Sequence, residues 1–237
     1  MAWLLKDRVA HLAEQAGFQV VAKADLPRRS AVLVPVPAML HEDVRRILAL
    51  DFPKGLYEHQ AEAIKAVLEG SDICIATPTA SGKSLVFIAA AADLLKRDAS
   101  SKAVAFYPTR ALIQDQVQKW KGFVERLGLR VGYIDGGVPM AERLAILRAA
   151  NIVLLTPDVA HAWLMSRLAE PQIREFVSRI RLLVLDEAHV YEGVFGTNMA
   201  YFLRRFQVAA GPHRLICSTA TVGDPVRFIR DLTGREV

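Results

Sequence analysis

The sequence predicts an α/β fold, an open and mostly parallel sheet with helices on both faces. Three observations predict it. From about residue 58 onward, short apolar runs alternate with helical patterns. The apolar runs lack polar alternation, as strands buried on both faces do. The helical stretches end where caps and breakers stand, which is the spacing of strand-helix units. At 237 residues, with 52% hydrophobic and 23% charged residues, the chain has the apolar material for one large domain.

Residues 1–55 differ from the rest. An amphipathic helix is expected at Ala2–Ala16, followed by a stretch punctuated by Pro27, Pro35, Pro37 and Pro53. This region is read as an N-terminal extension packed on a main domain spanning 56–237. In that domain, His59–Glu69 puts Ala61, Ile64, Val67 and Leu68 on one stripe and stops at Gly70. Asp72–Ala76 reads as a strand, and Ser84–Lys96, apolar nearly all round, as a buried helix. Ala103–Tyr107 is the next strand, and the helix Ala111–Leu127 ends at Gly128. Strands follow at Arg130–Ile134 and Ile152–Leu155. Asp158 is expected to cap a helix over Val159–Leu168, and Pro171 to open one over Gln172–Ile180. Leu182–Leu185 and Leu215–Ser218 complete the strands, and Asp224-Pro225 starts a helix that closes at Gly234.

Composition bounds the function. The longest apolar runs, such as Leu85–Ala92, fall far short of the roughly 20 residues a membrane span needs, so no membrane partner is expected. Lys6, Asp7 and Arg8 interrupt the N-terminus and argue against a signal peptide. Cys74 and Cys217 sit in strand-like runs and read as buried thiols, which excludes a disulfide scaffold. The expected location is cytoplasmic, nucleoid-associated in a bacterium or nuclear in a eukaryote. A net charge of +5 permits a nucleic-acid partner without demonstrating one.

Two constellations carry chemistry. The run ATPTASGKS ends in Gly82-Lys83-Ser84, as phosphate-binding loops do, although Thr77 stands where the usual pattern has a glycine. A strand that turns into a helix aims backbone N–H groups and the helix dipole at an anion. Gly82 allows close approach, Lys83 can reach the β- and γ-phosphates, and the Ser84 hydroxyl can ligate Mg²⁺. Taken alone, the run fits a helix start with an exposed lysine equally well. The second constellation, Asp186-Glu187 after the apolar run Leu183–Leu185, places acids at the carboxyl edge of the sheet. There Asp186 can hold Mg²⁺ and Glu187 can polarise an attacking water. Two acids after a strand are by themselves often a solvated turn; the upstream loop makes the pair informative.

Further segments stand in order around these two. Gln60, ATPTASGKS, YPTRAL (Tyr107–Leu112), Gly136-Gly137, TPD (Thr156–Asp158), DEAH (Asp186–His189) and STAT (Ser218–Thr221) together resemble a superfamily 2 helicase. More narrowly, the set is similar to the first RecA-like, P-loop motor domain of the DEAD/DEAH-box type. TPTASGKS and DEAHVYEGVFGTNMAYFLRRF resemble the mitomycin-repair, RecQ4-like group of DNA helicases. The resemblance covers roughly residues 56–237.

That resemblance implies ATP and Mg²⁺ as cofactors and single-stranded DNA as partner, with 3′-to-5′ movement and a repair role. It implies that Gln60 reads the adenine edge, with Tyr57 either near the base or on the solvent side. Thr79, Ala80, Ser81, Gly82, Lys83 and Ser84 would form the phosphate loop, and Ser84 and Asp186 would hold the metal. Lys83, Asp186, Glu187 and His189 would carry catalysis. Pro108, Thr109, Arg110, Gly136, Gly137, Thr156 and Pro157 would grip one nucleic-acid strand by its backbone. Ser218, Thr219 and Thr221 would couple nucleotide state to domain closure. An RNA helicase would share these motifs, and a non-catalytic nucleotide-gated module is the rival of another class. Such helicases use a second RecA-like domain with arginine fingers, each worth about 10³–10⁵ in rate. The 237 residues alone are therefore expected to bind nucleotide weakly, hydrolyse it very slowly and unwind nothing. Strong DNA-stimulated ATPase activity of the chain alone would contradict this expectation.

Overall fold

The computed structural model describes residues 12, 15–18, 31–77, 81–220 and 223–237. The expected helix at Ala2–Ala16 lies almost wholly outside the described residues. The chain divides into two compact units, Met1–Val32 and Leu33–Val237. Residues 33–55 thus belong to the larger unit, which is described from here on.

Six strands form one sheet in the order β3-β8-β7-β4-β6-β5, every neighbouring pair parallel. They are β3 (Ile73–Ala76), β4 (Lys102–Phe106), β5 (Val131–Ile134), β6 (Ile152–Leu155), β7 (Ile180–Leu185) and β8 (Arg214–Thr219). Period-two alternation along each strand feeds two cores, one on each face. Ala103, Ala105, Tyr107, Leu182 and Val184 point into the first core, with α1 (Glu42–Asp51), α2 (Glu58–Glu69), α3 (Lys83–Arg97) and α4 (Arg110–Val124). Val104, Phe106, Leu183, Leu185 and Cys217 point into the second, with α5 (Met140–Ala149), α6 (Pro171–Ser178), α7 (Gly193–Ala210) and α8 (Pro225–Thr233). Both cysteines are free. Among the described residues no helix is long and apolar enough to cross a membrane.

All six expected strands and the expected parallel architecture are present. Three helices and a small hairpin were not anticipated. The hairpin pairs β1 (Leu33–Val34) with β2 (Leu56–Tyr57) antiparallel, with α1 between them. Helix α5 buries only Arg143 and Leu147, so it shows no apolar stripe. In α7, Gly193 and Gly196 in the first turns disguise the start of a helix that buries Met199, Phe202, Leu203 and Phe206. The helix expected at Val159–Leu168 is corrected in kind. It is a helical turn at Pro157–Val159, a π-helix at Ala160–Leu164 and a 3₁₀ turn at Met165–Arg167. Thr156 rather than Asp158 stands at its N-cap. Ile180, expected at a helix end, opens β7.

One buried carboxylate fastens the segment before α1 to α3. Asp93 on α3 is 1% exposed. It accepts the His41 N–H at 2.5 Å and the Arg97 Nε at 2.6 Å, while Arg97 Nη2 donates to Met39 O at 2.6 Å. Removing Asp93 takes the acceptor from the part-buried His41 N–H and the ion-pair partner from Arg97. Asp93→Ala is therefore expected to cost about 2 kcal/mol, read by denaturant unfolding, because a donor left without its acceptor forfeits its desolvation. Stability unchanged by that substitution would contradict the assignment.

Candidate nucleotide site and nucleic-acid interface

Because the six strands are parallel, all their carboxyl ends meet one edge. The strand order brings the loop after β3, the end of β8 and the acids after β7 together at one end of it. The segments following β4, β6 and β5 occupy the other end. Five strand spacings make the whole row about 24 Å long.

At the first end, Gly82 has φ 80° and ψ 24° and leads directly into α3. That left-handed geometry is the reason for glycine there. A Cβ would also lie 2.3 Å from Gln60 Nε2. Thr77 Oγ1 and Ser81 Oγ are 2.6 Å apart, so the residue in the usual glycine's place closes the loop with a side-chain bond. Lys83, 8% exposed, donates to Thr77 O at 2.8 Å and reaches Thr219 O at 3.5 Å. Its ammonium thus sits across the loop mouth between β3 and β8. The Ser84 hydroxyl donates to Gln116 Oε1 at 3.1 Å. Thr79 and Ala80 lie outside the described residues.

Gln60 spends both halves of its amide on the protein. Nε2 donates to Gly82 O and Oε1 accepts the Tyr57 N–H, each at 3.1 Å. It therefore ties β2 to the loop. Tyr57, 43% exposed, stacks on His59 with centroids 5.7 Å apart. His59 Nε2 is 3.3 Å from Ser81 O, which keeps this aromatic pair beside the loop.

The acids follow β7. Asp186 is 5% exposed, and its Oδ1 accepts from the Ser218 hydroxyl and, at 3.0 Å, from the Glu187 N–H. Glu187 is the one non-glycine with positive φ among the described residues, at 51°. Strain of that kind persists only where surrounding bonds over-determine it. His189 Nδ1 accepts the Ala220 N–H at 3.2 Å and lies 3.3 Å from Glu187 Oε2. Ser218 bonded to Asp186, the Glu187 N–H donating to Ser218 Oγ at 3.4 Å, and the Ala220 N–H donating to His189 together join the end of β8 to the DEAH segment. The Thr219 hydroxyl is buried without a partner, and Thr221 lies outside the described residues.

At the far end, Thr109 caps α4 through the Leu112 N–H at 3.2 Å. Thr109, Arg110, Gly136 and Gly137 are exposed and Pro108 is half-buried, while Thr156 and Pro157 are buried. The last two shape the row from below and offer it little surface. Arg110 Nε lies 3.4 Å from Asp135 Oδ2, and the Gly137 N–H donates to Asp135 Oδ1 at 2.7 Å. Sequence reasoning missed Asp135, Arg143, Gln116 and His59. Asp135 had the same signal as Asp186, an acid directly after an apolar strand.

Residues 57–229 match the DEAD/DEAH box helicase family. This chain belongs to that family. Over 75% of its length it is 33% identical to the ATP-dependent helicase hrq1 of Schizosaccharomyces pombe, covering 17% of that protein. Over 91% it is 30% identical to the uncharacterized ATP-dependent helicase YprA of Bacillus subtilis, covering 29% of it. Its fold superposes with a TM-score of 0.85 on the crystal structure of the DUF1998 helicase MrfA bound to DNA and AMPPNP. That match is 28% identical and covers 95% of this chain and 32% of the other. These relatives agree with the resemblance to the mitomycin-repair, RecQ4-like group. The family member described here spans less than a third of each of them.

Electrostatics single out Asp186 within the family site. Burial pushes its carboxyl above the usual range against the Ser218 hydrogen bond, and the neighbouring Glu187 adds to the rise. The folded state thus holds its proton more tightly than the unfolded state does. Stability falls as pH rises through that window, and the penalty is complete above it. Asn at 186 keeps an acceptor for Ser218 and carries no charge. Asp186→Asn is expected to melt above wild type near neutral pH, without nucleotide or metal. The gap should close on acidification toward about pH 4, where the unfolded carboxyl also protonates. A lower melting temperature for the variant near neutral pH would contradict the burial argument.

Proposed function

We propose that this chain is the ATP-binding motor domain of an ATP-dependent DNA helicase or translocase that moves 3′ to 5′ and serves DNA repair. The observation that carries the reading is the shared edge. A phosphate loop and two acids stand at one end, a row headed by Arg110 stands at the other, and β8 is bonded to the acids through Ser218. Names of relatives support it, among them the helicase MrfA in a structure with DNA and AMPPNP.

In this reading the loop N–H groups and Lys83 hold the β- and γ-phosphates, with Lys83 trading its carbonyl partners for phosphate oxygens. The donor set near the loop fits Mg²⁺. Asp186 and the Ser84 hydroxyl are hard oxygen donors, and this ion takes few protein ligands and completes its shell with phosphates and water. When bound, the ion would neutralise charge on the phosphates. Glu187, whose φ of 51° turns it out of the strand direction, orients the attacking water. Loss of the γ-phosphate is relayed through Ser218 and His189 to β8. A second RecA-like domain would close on this edge and supply the arginine that stabilises the transition state.

Two substitutions test the nucleotide half with a fluorescent ATP analogue and Mg²⁺. Lys83→Ala is expected to weaken binding at least about tenfold, the scale of losing a charge-assisted phosphate contact. Glu187→Gln should leave binding near wild type and abolish turnover in any form of the protein that hydrolyses ATP. Unchanged binding in Lys83→Ala, or full turnover in Glu187→Gln, would contradict the motor reading. Single-stranded DNA should stimulate hydrolysis more than single-stranded RNA does; the reverse order would assign the motor to RNA.

A further inference from the structure

The turn after β5 contains a charge cluster that the motif roles leave unexplained. Asp135 is 2% exposed, yet its carboxylate serves two partners on the exposed row, the Gly137 N–H and Arg110 Nε. Arg143, 8% exposed, closes the same turn from within α5. Its Nε donates to Val138 O at 3.0 Å and its Nη2 to Asp135 O at 3.4 Å. The guanidinium lies 5.4 Å from the centre of the Trp163 ring, a cation–π contact in a desolvated place. Trp163 belongs to the π-helical turn after β6, so the brace joins the segments that follow β5 and β6, the last two strands at this end of the sheet.

This arrangement changes the role of Gly137. Its N–H is spent on Asp135, so it is no free donor to a phosphate. What position 137 supplies is space, because a Cβ there would lie 2.2 Å from Arg110 Nη2. Arg110 therefore lies over the glycine turn, held at Nε, while its side chain stays 65% exposed. Phosphate recognition by arginine uses two parallel N–H bonds, and the guanidinium edge away from Nε can still provide them. A free arginine on the surface would lose rotamer freedom on binding, and one already held by a buried carboxylate loses less.

We propose that Asp135 is a positioning residue that presets Arg110 as a phosphate clamp, with Arg143 and Trp163 holding the turn that carries it. The inference rests on the reading of this row as the strand grip. A carboxylate beside an arginine can also act as a competitor for it, and the two roles predict opposite signs. Presetting is favoured by geometry: the Gly137 N–H and the Arg143 brace fix Asp135 in place while Arg110 remains open to solvent.

The test is binding of a fluorescein-labelled oligothymidylate to the full chain by fluorescence anisotropy over a range of salt. Arg110→Ala is expected to weaken binding about tenfold and to lower the salt slope by about 0.7, the loss of one phosphate contact on a single strand. Asp135→Asn keeps an acceptor for Gly137 and removes a negative charge, which on charge alone should tighten binding to a polyanion. Presetting predicts the opposite, a loss of about three- to fivefold, absent when Arg110 is already alanine. Gly137→Ala, whose Cβ would lie 2.2 Å from Arg110 Nη2 and 3.1 Å from Asp135 Oδ1, unseats Arg110 from Asp135 and should also weaken binding; it decides the matter if Asp135→Asn fails to fold. Tighter binding by Asp135→Asn, an equal loss in the Arg110→Ala background, or wild-type affinity in Gly137→Ala overturns the proposal. If Arg110→Ala weakens binding and Asp135→Asn does not, the presetting role alone fails. If Arg110→Ala changes nothing, the strand-grip reading fails and takes this proposal with it.

Discussion

The uniform direction of six strands is the constraint on which everything else depends. Had one strand of the sheet run the other way, its loop would lie on the opposite edge and its motif would be lost to the site. Parallel pairing needs crossover helices, and those helices bury both faces. The strand interiors are therefore apolar without alternation, and polar chemistry is confined to strand ends. Motifs separated by many residues in the chain become neighbours because each follows a strand.

The edge is also where the fold tolerates unfavourable local states. Asp186 is a desolvated carboxylate, Glu187 sits in left-handed backbone, and the Thr219 hydroxyl is buried without a partner. Each costs free energy. Their clustering at the ends of two adjacent strands, β7 and β8, is what a site completed by a charged ligand requires. The remainder of the larger unit offsets such costs through two continuous apolar cores and through buried pairings such as Asp93 with His41 and Arg97.

The strands and their parallel direction were legible because short apolar runs without polar alternation recur between helical patterns, whereas the order of the strands was not. The readings of ATPTASGKS and DEAH came from particular residues at fixed places, and the fold brings both segments to one end of the sheet edge. Helix α5 was not legible, since it buries just two residues, one of them an arginine. The π-helical turn at Ala160–Leu164 was misread because a single turn of i→i+5 hydrogen bonds leaves no sequence pattern distinct from that of an α-helix. The bonds by which Gln60 ties β2 to the loop were not legible, because only the fold brings Gly82 beside it. Asp135 escaped because its meaning depends on Arg110 and Arg143, which only the fold brings beside it.

The central claim is that nucleotide and nucleic acid occupy opposite ends of one sheet edge. Backbone amide NMR of the chain, titrated separately with Mg²⁺–AMPPNP and with oligothymidylate, tests it most directly. The account predicts that the nucleotide shifts the amides of Gly82, Lys83, Ser84 and Glu187, and that the oligonucleotide shifts those of Arg110, Gly136 and Gly137. Perturbation of one common set by both ligands, or of residues away from this edge by the oligonucleotide, would contradict it.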